Sequence, residues 1–295
     1  MKLRNMKKNK IILAGSGYLA NSLIKLLTEI DDYANIIELS RTVKKRKSNI
    51  ISLSRDFDEL DIDLDCVDKA EIVYMAPPNA IGLTDSRLSN FIKNIKAYEI
   101  KKILYISTSG VYGDCNGMIV DEKNKTNPLT DRAKRRVDAE TQLTNYCSTH
   151  QVSLIILRTP GIYGKDRLPI AKIRDGEPLI KKEESRITNL IHVEDLARIV
   201  VCAMKKKKLK KIEVFNVSDG CPITSTEYYE IICNILGVKI EKYISYEEAA
   251  NIFTEKRLSF LKESRQLNVK KMQKLLPGCI KYTDLEKGVI ASLES

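Results

Sequence analysis

The sequence predicts an α/β fold, a doubly wound parallel sheet with a smaller C-terminal substrate lobe, and three observations carry that prediction. Short apolar runs alternate with amphipathic segments from residue 10 to residue 161. The runs are nearly continuous in Ile, Leu and Val rather than alternating, as befits strands covered on both faces. After Gly164 the rhythm breaks into a polar, irregular stretch at 165–185 before one helix and one strand return.

The elements follow in order. "KIILAG" (10–15) reads as a buried strand, and "YLANSLIKLLTEI" (18–30) as a helix with Leu19, Leu23, Leu26, Leu27 and Ile30 on one face. "NIIELS" (35–40), "NIISLS" (49–54) and "AEIVYMAPP" (70–78) are strands, the last stopped by its two prolines. "LSNFIKNIKAYEI" (88–100) is a helix and "KKILYISTS" (101–109) a strand. Residues 131–147 are helical, and "VSLIILRTPG" (152–161) is another strand. Beyond the irregular stretch, "VEDLARIVVCAM" (193–204) is a helix buried through Leu196, Ile199, Val200 and Ala203, and "IEVFNVS" (212–218) a strand.

The helix at 131–147 carries an unusual charge pattern. Ala133, Val137, Leu143 and Cys147 mark its buried stripe, while Lys134 and Asp138 fall opposite. Arg132 and Arg136, four apart and so neighbours, lie at the edge of that stripe. Arginines beside a core need an anion or a route to water.

Composition narrows the function classes. The chain has 295 residues, 43% hydrophobic and 30% charged, which is ample for a packed core. Its seven cysteines show no CxxC spacing and there are two histidines, so no metal site is expected and reduced thiols are. The basic N-terminus precedes an apolar run, Ile11–Ala14, too short for a signal peptide, and no stretch reaches membrane-span length. A cytoplasmic location without membrane contact is expected. The net charge of +11 gathers at residues 2–10, 44–47 and 205–211, without interleaved aromatics and in a chain with no tryptophan. Solvated lysine explains this better than specific nucleic-acid binding.

Gly15, Gly17 and Ala20 form a G-x-G-x-x-A between the first strand and the first helix. That context is the one in which a dinucleotide-binding turn works: Gly15 permits the tight turn, Gly17 lets backbone approach a pyrophosphate, and the helix N-terminus receives its charge. A Rossmann-type core over 1–164 follows, with its remaining elements at about 187–218 interleaved with a lobe formed by about 165–186 and 219–295. At the end of the second strand, where an acid would bond the ribose of NAD, stand Ser40 and Arg41. Arginine suits a 2′-phosphate, so NADP is preferred over NAD, with Glu38 as the residue that would restore NAD. Tyr18, Leu19, Ala76 and Pro77 complete the expected cofactor contacts, and Asp56 is either an adenine contact or a turn residue.

At this point the chain resembles the extended short-chain dehydrogenase/reductase family, the NAD(P)-dependent epimerase/dehydratase group. The resemblance rests on "LAGSGYLA", "YISTSGVYGD", "VDEKNKTNPLTDRAKRRVDAE", "ILRTPGIYG" and "NLIHVEDLA", in that order. It implies that Thr108, four before Tyr112, orients the reacting oxygen. It also implies a tyrosine–lysine pair on the next helix. Counted from Ala139–Glu140, those two positions hold Arg132 and Arg136. Arginine is a poor acid–base group near neutrality and a good clamp for carboxylate or phosphate.

The expected site is therefore atypical: Thr108 and Tyr163 as the groups nearest the chemistry, Arg132, Arg136 and Arg167 as substrate contacts. Tyr112, His192 and Asp195 are read as structural, and Cys115 has no histidine partner. Two functions remain open, an NADP(H)-linked reductase, epimerase or dehydratase acting on an anionic small molecule, and a catalytically silent dinucleotide-binding sensor or assembly factor. A homodimer is compatible with both.

Overall fold

The computed structural model describes residues 9–47 and 49–294. It comprises two compact units, the first made of Met1–Thr108, Asp131–Arg158 and Ala197–Phe215, the second of Ser109–Thr130, Thr159–Leu196 and Asn216–Ser295. The division thus does not fall at residue 164: segment 109–130 and residues 159–164, expected in the core, group with the second unit.

The first unit holds seven strands: β1 (Asn9–Ala14), β2 (Tyr33–Ser40), β3 (Ile50–Ser54), β4 (Ala70–Tyr74), β5 (Lys102–Thr108), β6 (Ser153–Thr159) and β7 (Ile212–Asn216). They lie in the order β7-β6-β5-β4-β1-β2-β3. The ladders β1–β2, β1–β4, β2–β3 and β4–β5 are all parallel. The order reverses at β1, whose neighbours are β2 and β4, so a crevice opens beyond the carboxyl ends of β1 and β4. Ile11, Ile12, Leu13, Ala14, Ile72, Val73, Ile103 and Leu104 are fully buried, and this explains why these strands read as continuous apolar runs.

Helices α1 (Tyr18–Ile30), α2 (Ser86–Ile95) and α3 (Asp131–Thr149) follow β1, β4 and β5. Helix α2 begins two residues before the expected start because the Asp85 carboxylate accepts the Leu88 N–H at 3.0 Å and caps it. It ends five residues short of the expectation, its apolar face being complete at Ile95. The strand expected over 70–78 stops at Tyr74, three residues before the first proline. Along α3 the buried side chains are Ala133, Arg135, Ala139, Glu140, Leu143, Tyr146 and Cys147. Val137, expected in that stripe, is half-buried, and Arg135 takes a buried place instead by donating from Nη1 to the Gly82 carbonyl at 2.5 Å.

The second unit has its own core of Tyr163, Ile173, Leu190, Ile232, Cys233, Leu285 and Val289. Within it Gly161–Tyr163 pairs in parallel with Leu190–His192. Helix α4 (Val193–Lys205) leaves that pair, and α5 (Ser225–Leu236) and α6 (Leu285–Glu294) complete the longer helices. Thr224 and Glu227 close a capping box at the start of α5, and Gly237, at φ 65°, ends it in the left-handed conformation.

Cys202 and Cys279 are disulfide-bonded, a departure from the expectation of seven thiols, whereas Cys66, Cys115, Cys147, Cys221 and Cys233 are free. Among the described residues no helix is long and apolar enough to cross a membrane.

Candidate functional site

The turn after β1 is built around Gly15, whose φ is +96°. A Cβ there would lie 2.4 Å from the Ala76 nitrogen, because the Met75 and Ala76 N–H groups both donate to the Ala14 carbonyl, at 2.7 and 3.1 Å. On its other side the Gly15 N–H donates to the Leu39 carbonyl at 2.9 Å. The turn is thus pinned at the reversal of strand order, between the ends of β2 and β4. Gly17 differs: its φ is −93°, and a Cβ added there would meet nothing within 4 Å. It is the N-cap of α1, no side chain caps that end, and no acid occupies the first turn. Open space over uncapped N–H groups and a positive helix end fits a pyrophosphate. Tyr18 and Leu19 supply the first-turn backbone, with Leu19 6% exposed and so available through its N–H rather than its side chain.

At the end of β2 the Ser40 hydroxyl donates to the Thr42 carbonyl at 2.8 Å and the Arg41 side chain is exposed. Two residues that sequence reasoning passed over as part of a solvated charge run converge here. Lys44 Nζ donates to the Ser16 carbonyl at 2.6 Å and to its hydroxyl at 2.8 Å. Arg46 grips both oxygens of Glu38, at 2.8 Å from Nε and 2.6 Å from Nη2. Glu38 is 0% exposed. Their only signal in the sequence was the clustering of cations just after the second strand.

Asp56 accepts the Asp58 N–H through Oδ1 at 3.0 Å, as a turn residue does. Ala76 is buried against the Gly15 turn, and the Pro77 carbonyl accepts from Arg87 Nη1 at 2.7 Å while Arg87 also holds Asp58. That hydrogen bond keeps the Asp58 carboxyl below the usual carboxylate range.

Thr108 ends β5, half-buried. Arg136 reaches the same strand end: its Nη1 donates to the Tyr105 hydroxyl at 2.9 Å and to the Ile106 carbonyl at 3.1 Å. Burial pushes the Tyr105 phenol up to about 12, so at neutral pH it is a neutral acceptor for the guanidinium. Arg132, one turn earlier, is exposed. Beneath them Glu140 accepts from Ser107 Oγ at 2.6 Å and from Arg158 Nη2 at 2.8 Å, with Glu140 7% and Arg158 7% exposed. One strand end therefore presents Thr108 beside a guanidinium, braced from below by a buried ion pair.

In the second unit Arg167 is exposed, as a substrate contact requires. Tyr163 is a correction. It is 1% exposed, its hydroxyl makes no hydrogen bond, and that oxygen lies 2.1 Å from where a Cβ on Gly288 would stand. Burial drives its pKa far up, and a sealed phenol cannot pass a proton to a substrate. The ring stacks edge-on against His192 at 5.2 Å. His192 Nδ1 accepts the Glu194 N–H at 3.2 Å, which leaves Nε2 to donate to Ser292 Oγ at 3.1 Å, a structural role. Asp195 accepts the N–H groups of Lys281 and Tyr282, each at 2.9 Å, and Tyr112 donates to Asn216 at 2.7 Å, so both are structural as read.

Asp219, 5% exposed, is pushed up to about 7, first by burial and then by the neighbouring Asp195 charge. An unfolded aspartate titrates near about 4. The folded state therefore holds the proton more tightly, and stability from this group falls as pH rises from about 4 to about 7. Asp219→Asn is expected to melt progressively higher than the parent as pH goes from 5 to 8 in paired thermal scans. A gap that is the same at both ends would assign the titration elsewhere.

Among the described residues no cluster of three or more His, Cys, Asp or Glu is placed to hold a metal ion. The model of the NAD dependent epimerase/dehydratase family matches residues 85–218, the span that carries Thr108, the arginine helix and "NLIHVEDLA". That match covers just under half of the chain, and over this span the chain is similar to the family. Its relatives include a putative UDP-glucose 4-epimerase of Methanocaldococcus jannaschii, 22% identical over 265 residues, 78% of this chain and 83% of that one. Among solved structures, a functionally unknown conserved protein from Silicibacter pomeroyi is 25% identical, with a TM-score of 0.82 over 97% of this chain and 98% of that one. The UDP-glucuronic acid 4-epimerase of Bacillus cereus in complex with NAD shares the fold, with a TM-score of 0.77 at 18% identity over 97% of each chain. The Rossmann-type fold expected from the strand rhythm is the one found.

Proposed function

We propose that the protein binds NADP(H) in preference to NAD(H) beyond the ends of β1 and β4, and acts on an anionic small molecule as a reductase, epimerase or dehydratase. One observation carries this reading: the strand end that bears Thr108 also holds a guanidinium, Arg136, where this family's resemblance puts a lysine. A bound nicotinamide supplies or accepts a hydride. Gly15 and Gly17 shape the turn that receives its pyrophosphate. The Thr108 hydroxyl orients the reacting oxygen by hydrogen bonding. Arg136, fixed through Nη1 on Tyr105 and Ile106, keeps its other N–H groups for an anion, and Arg132 adds a second fork on the same helix face. Sugar nucleotides suit that recognition, as their diphosphate is anionic and a UDP-glucuronic acid 4-epimerase shares the fold. With Tyr163 sealed, the proton comes from solvent held by Thr108. The cytoplasm is the compartment we assign.

The second reading, a dinucleotide-binding protein without turnover, is favoured by that same burial of Tyr163, which leaves no phenol for acid–base work. Arg132→Tyr with Arg136→Lys separates the arginine clamp from a solvated face. Lysine cannot span Tyr105 and Ile106 and still offer a fork, so the double variant is expected to lose about tenfold or more in affinity for the anion. The measurement is ligand-induced thermal stabilisation at saturating NADPH across carboxylates, sugar phosphates and UDP-sugars. Equal stabilisation of parent and variant by every compound would reject the clamp. Release of altered sugar or change in NADPH absorbance with a stabilising compound distinguishes enzyme from silent binder.

A further inference from the structure

We infer that an anion binding at Arg136 brings a proton with it, and that the proton settles on Asp85, the buried carboxylate at the start of α2. This rests on the reading of Arg136 as an anion clamp and adds to it a second residue and a pH dependence.

Two charged groups in this part of the first unit have no opposite charge in contact. Arg136 is half-buried, and its hydrogen bonds go to the Tyr105 hydroxyl and the Ile106 carbonyl, both neutral. Its Cζ lies 5.6 Å from the centroid of the Tyr105 ring. Asp85 is 0% exposed, and its Oδ1 accepts the Leu88 N–H at 3.0 Å while Oδ2 has no hydrogen-bond partner. A carboxylate so placed needs either a cation near enough to hold its charge or a proton.

The fold brings the two together. The loop ahead of α2 is stitched to α3 on both sides of Arg136. Arg135 Nη1 donates to the Gly82 carbonyl at 2.5 Å, and Asp138 Oδ2 accepts the Asp85 N–H at 2.7 Å. On the sheet below, Tyr74 of β4 and Tyr105 of β5 are partners in register, with rings 6.1 Å apart. The groups that act on Asp85 are these two phenols, Arg87 from α2, and Arg136 and Asp138 from α3. Burial keeps both phenols neutral. Arg87 is committed to Asp58 and the Pro77 carbonyl, and Asp138 to the Asp85 N–H and Gln142. Arg136 is therefore the neighbour whose charge an incoming anion can cancel.

Burial pushes the Asp85 carboxyl above the usual aspartate range, against the pull of the Leu88 N–H and of Arg136. An anion on the remaining N–H groups of Arg136 removes the second pull. The carboxyl then rises further and takes a proton from solvent, forming an O–H bond at Oδ2. Otherwise two buried negative charges would face one positive charge. Because Asp85 holds its proton more tightly in the complex than in the free protein, affinity is greatest at low pH. It falls as pH climbs above about 4, by at most about tenfold per pH unit.

The test is calorimetry with UDP-glucose and with sulfate, each titrated into protein saturated with NADPH, in buffers of differing ionisation enthalpy. Neither probe changes its own charge between about pH 5 and pH 8. The parent is expected to take up a measurable fraction of a proton on binding, and to lose about tenfold or more in affinity across that range. Asp85→Asn keeps the oxygen that caps Leu88 and carries no charge. It should bind with no proton uptake and nearly level affinity, about tenfold or more tighter than the parent at pH 8. Asp138→Asn removes the neighbouring acid and should retain the uptake, so the assignment does not hang on the stability of one variant. Binding without uptake in the parent would overturn the inference and leave the Arg136 clamp standing. Uptake that survives in Asp85→Asn, or vanishes in Asp138→Asn, would give the proton to another group and overturn it too. A parent that binds neither probe would overturn the clamp and the inference together.

Discussion

Gly17→Val is expected to abolish dinucleotide binding and to leave the melting temperature of the protein within a few degrees of the parent's. The backbone at Gly17 lies at φ −93°, open to any residue, and the space its side chain would enter is free of protein atoms within 4 Å. Valine gains a little by narrowing the unfolded ensemble and loses about 1 kcal/mol as an inferior N-cap, so stability stays nearly level. The same isopropyl group stands where a pyrophosphate must approach the N–H groups of α1. Gly15→Ala makes the opposite case. There the methyl would meet the Ala76 nitrogen at 2.4 Å and Cα at 2.6 Å, on a backbone at φ +96°. A loss of about 3 kcal/mol or more is expected, roughly 6–12 °C for a chain of this size. NADPH fluorescence and a thermal scan on both variants decide the matter. Retained binding in Gly17→Val would remove the phosphate from this turn, and a stable Gly15→Ala would show that the β1–β4 junction has room to relax.

Those two glycines show what the sequence made legible. Their spacing between an apolar strand and an amphipathic helix announced the turn, and the turn lies at the sheet's reversal. The central strands of the first unit were readable because they are buried on both faces, so composition alone marks them. The second unit was not, since its strands run two or three residues and gain their pairing from partners far along the chain, as Leu190–His192 does from Gly161–Tyr163. Tyr163 misled for the same reason: what seals it is Gly288 in α6, and nothing local predicts that. The segment 41–47 hid in a different way. A run of cations ordinarily faces water, and only the buried carboxylate of Glu38, eight residues before Arg46, turns this one inward. Arg135 takes a buried place on α3, where Val137 is only half-buried, because an arginine stem can lie along a core while its fork reaches a carbonyl.

Arg158→Met is expected to produce the largest loss of stability among single side-chain changes near the site. It strips the partner from Glu140, which is buried in α3 and can neither reach water nor recruit another cation, and such an orphaned charge costs about 3–5 kcal/mol. The melting temperature should fall by about 6 °C or more. Glu140→Leu with Arg158→Met removes both charges, and a well-packed apolar pair of similar volume should recover most of that loss. What the double variant cannot recover is the bond from Ser107 Oγ to Glu140 at 2.6 Å, one residue before Thr108. If that bond holds the end of β5 in register with Arg136, the recovered double variant will be nearly as stable as the parent and still bind its anionic ligand more weakly at saturating NADPH. Glu140 would then be a positioning residue acting through Ser107 and Thr108. Parent-like ligand affinity at recovered stability would confine the ion pair to holding α3 against β6.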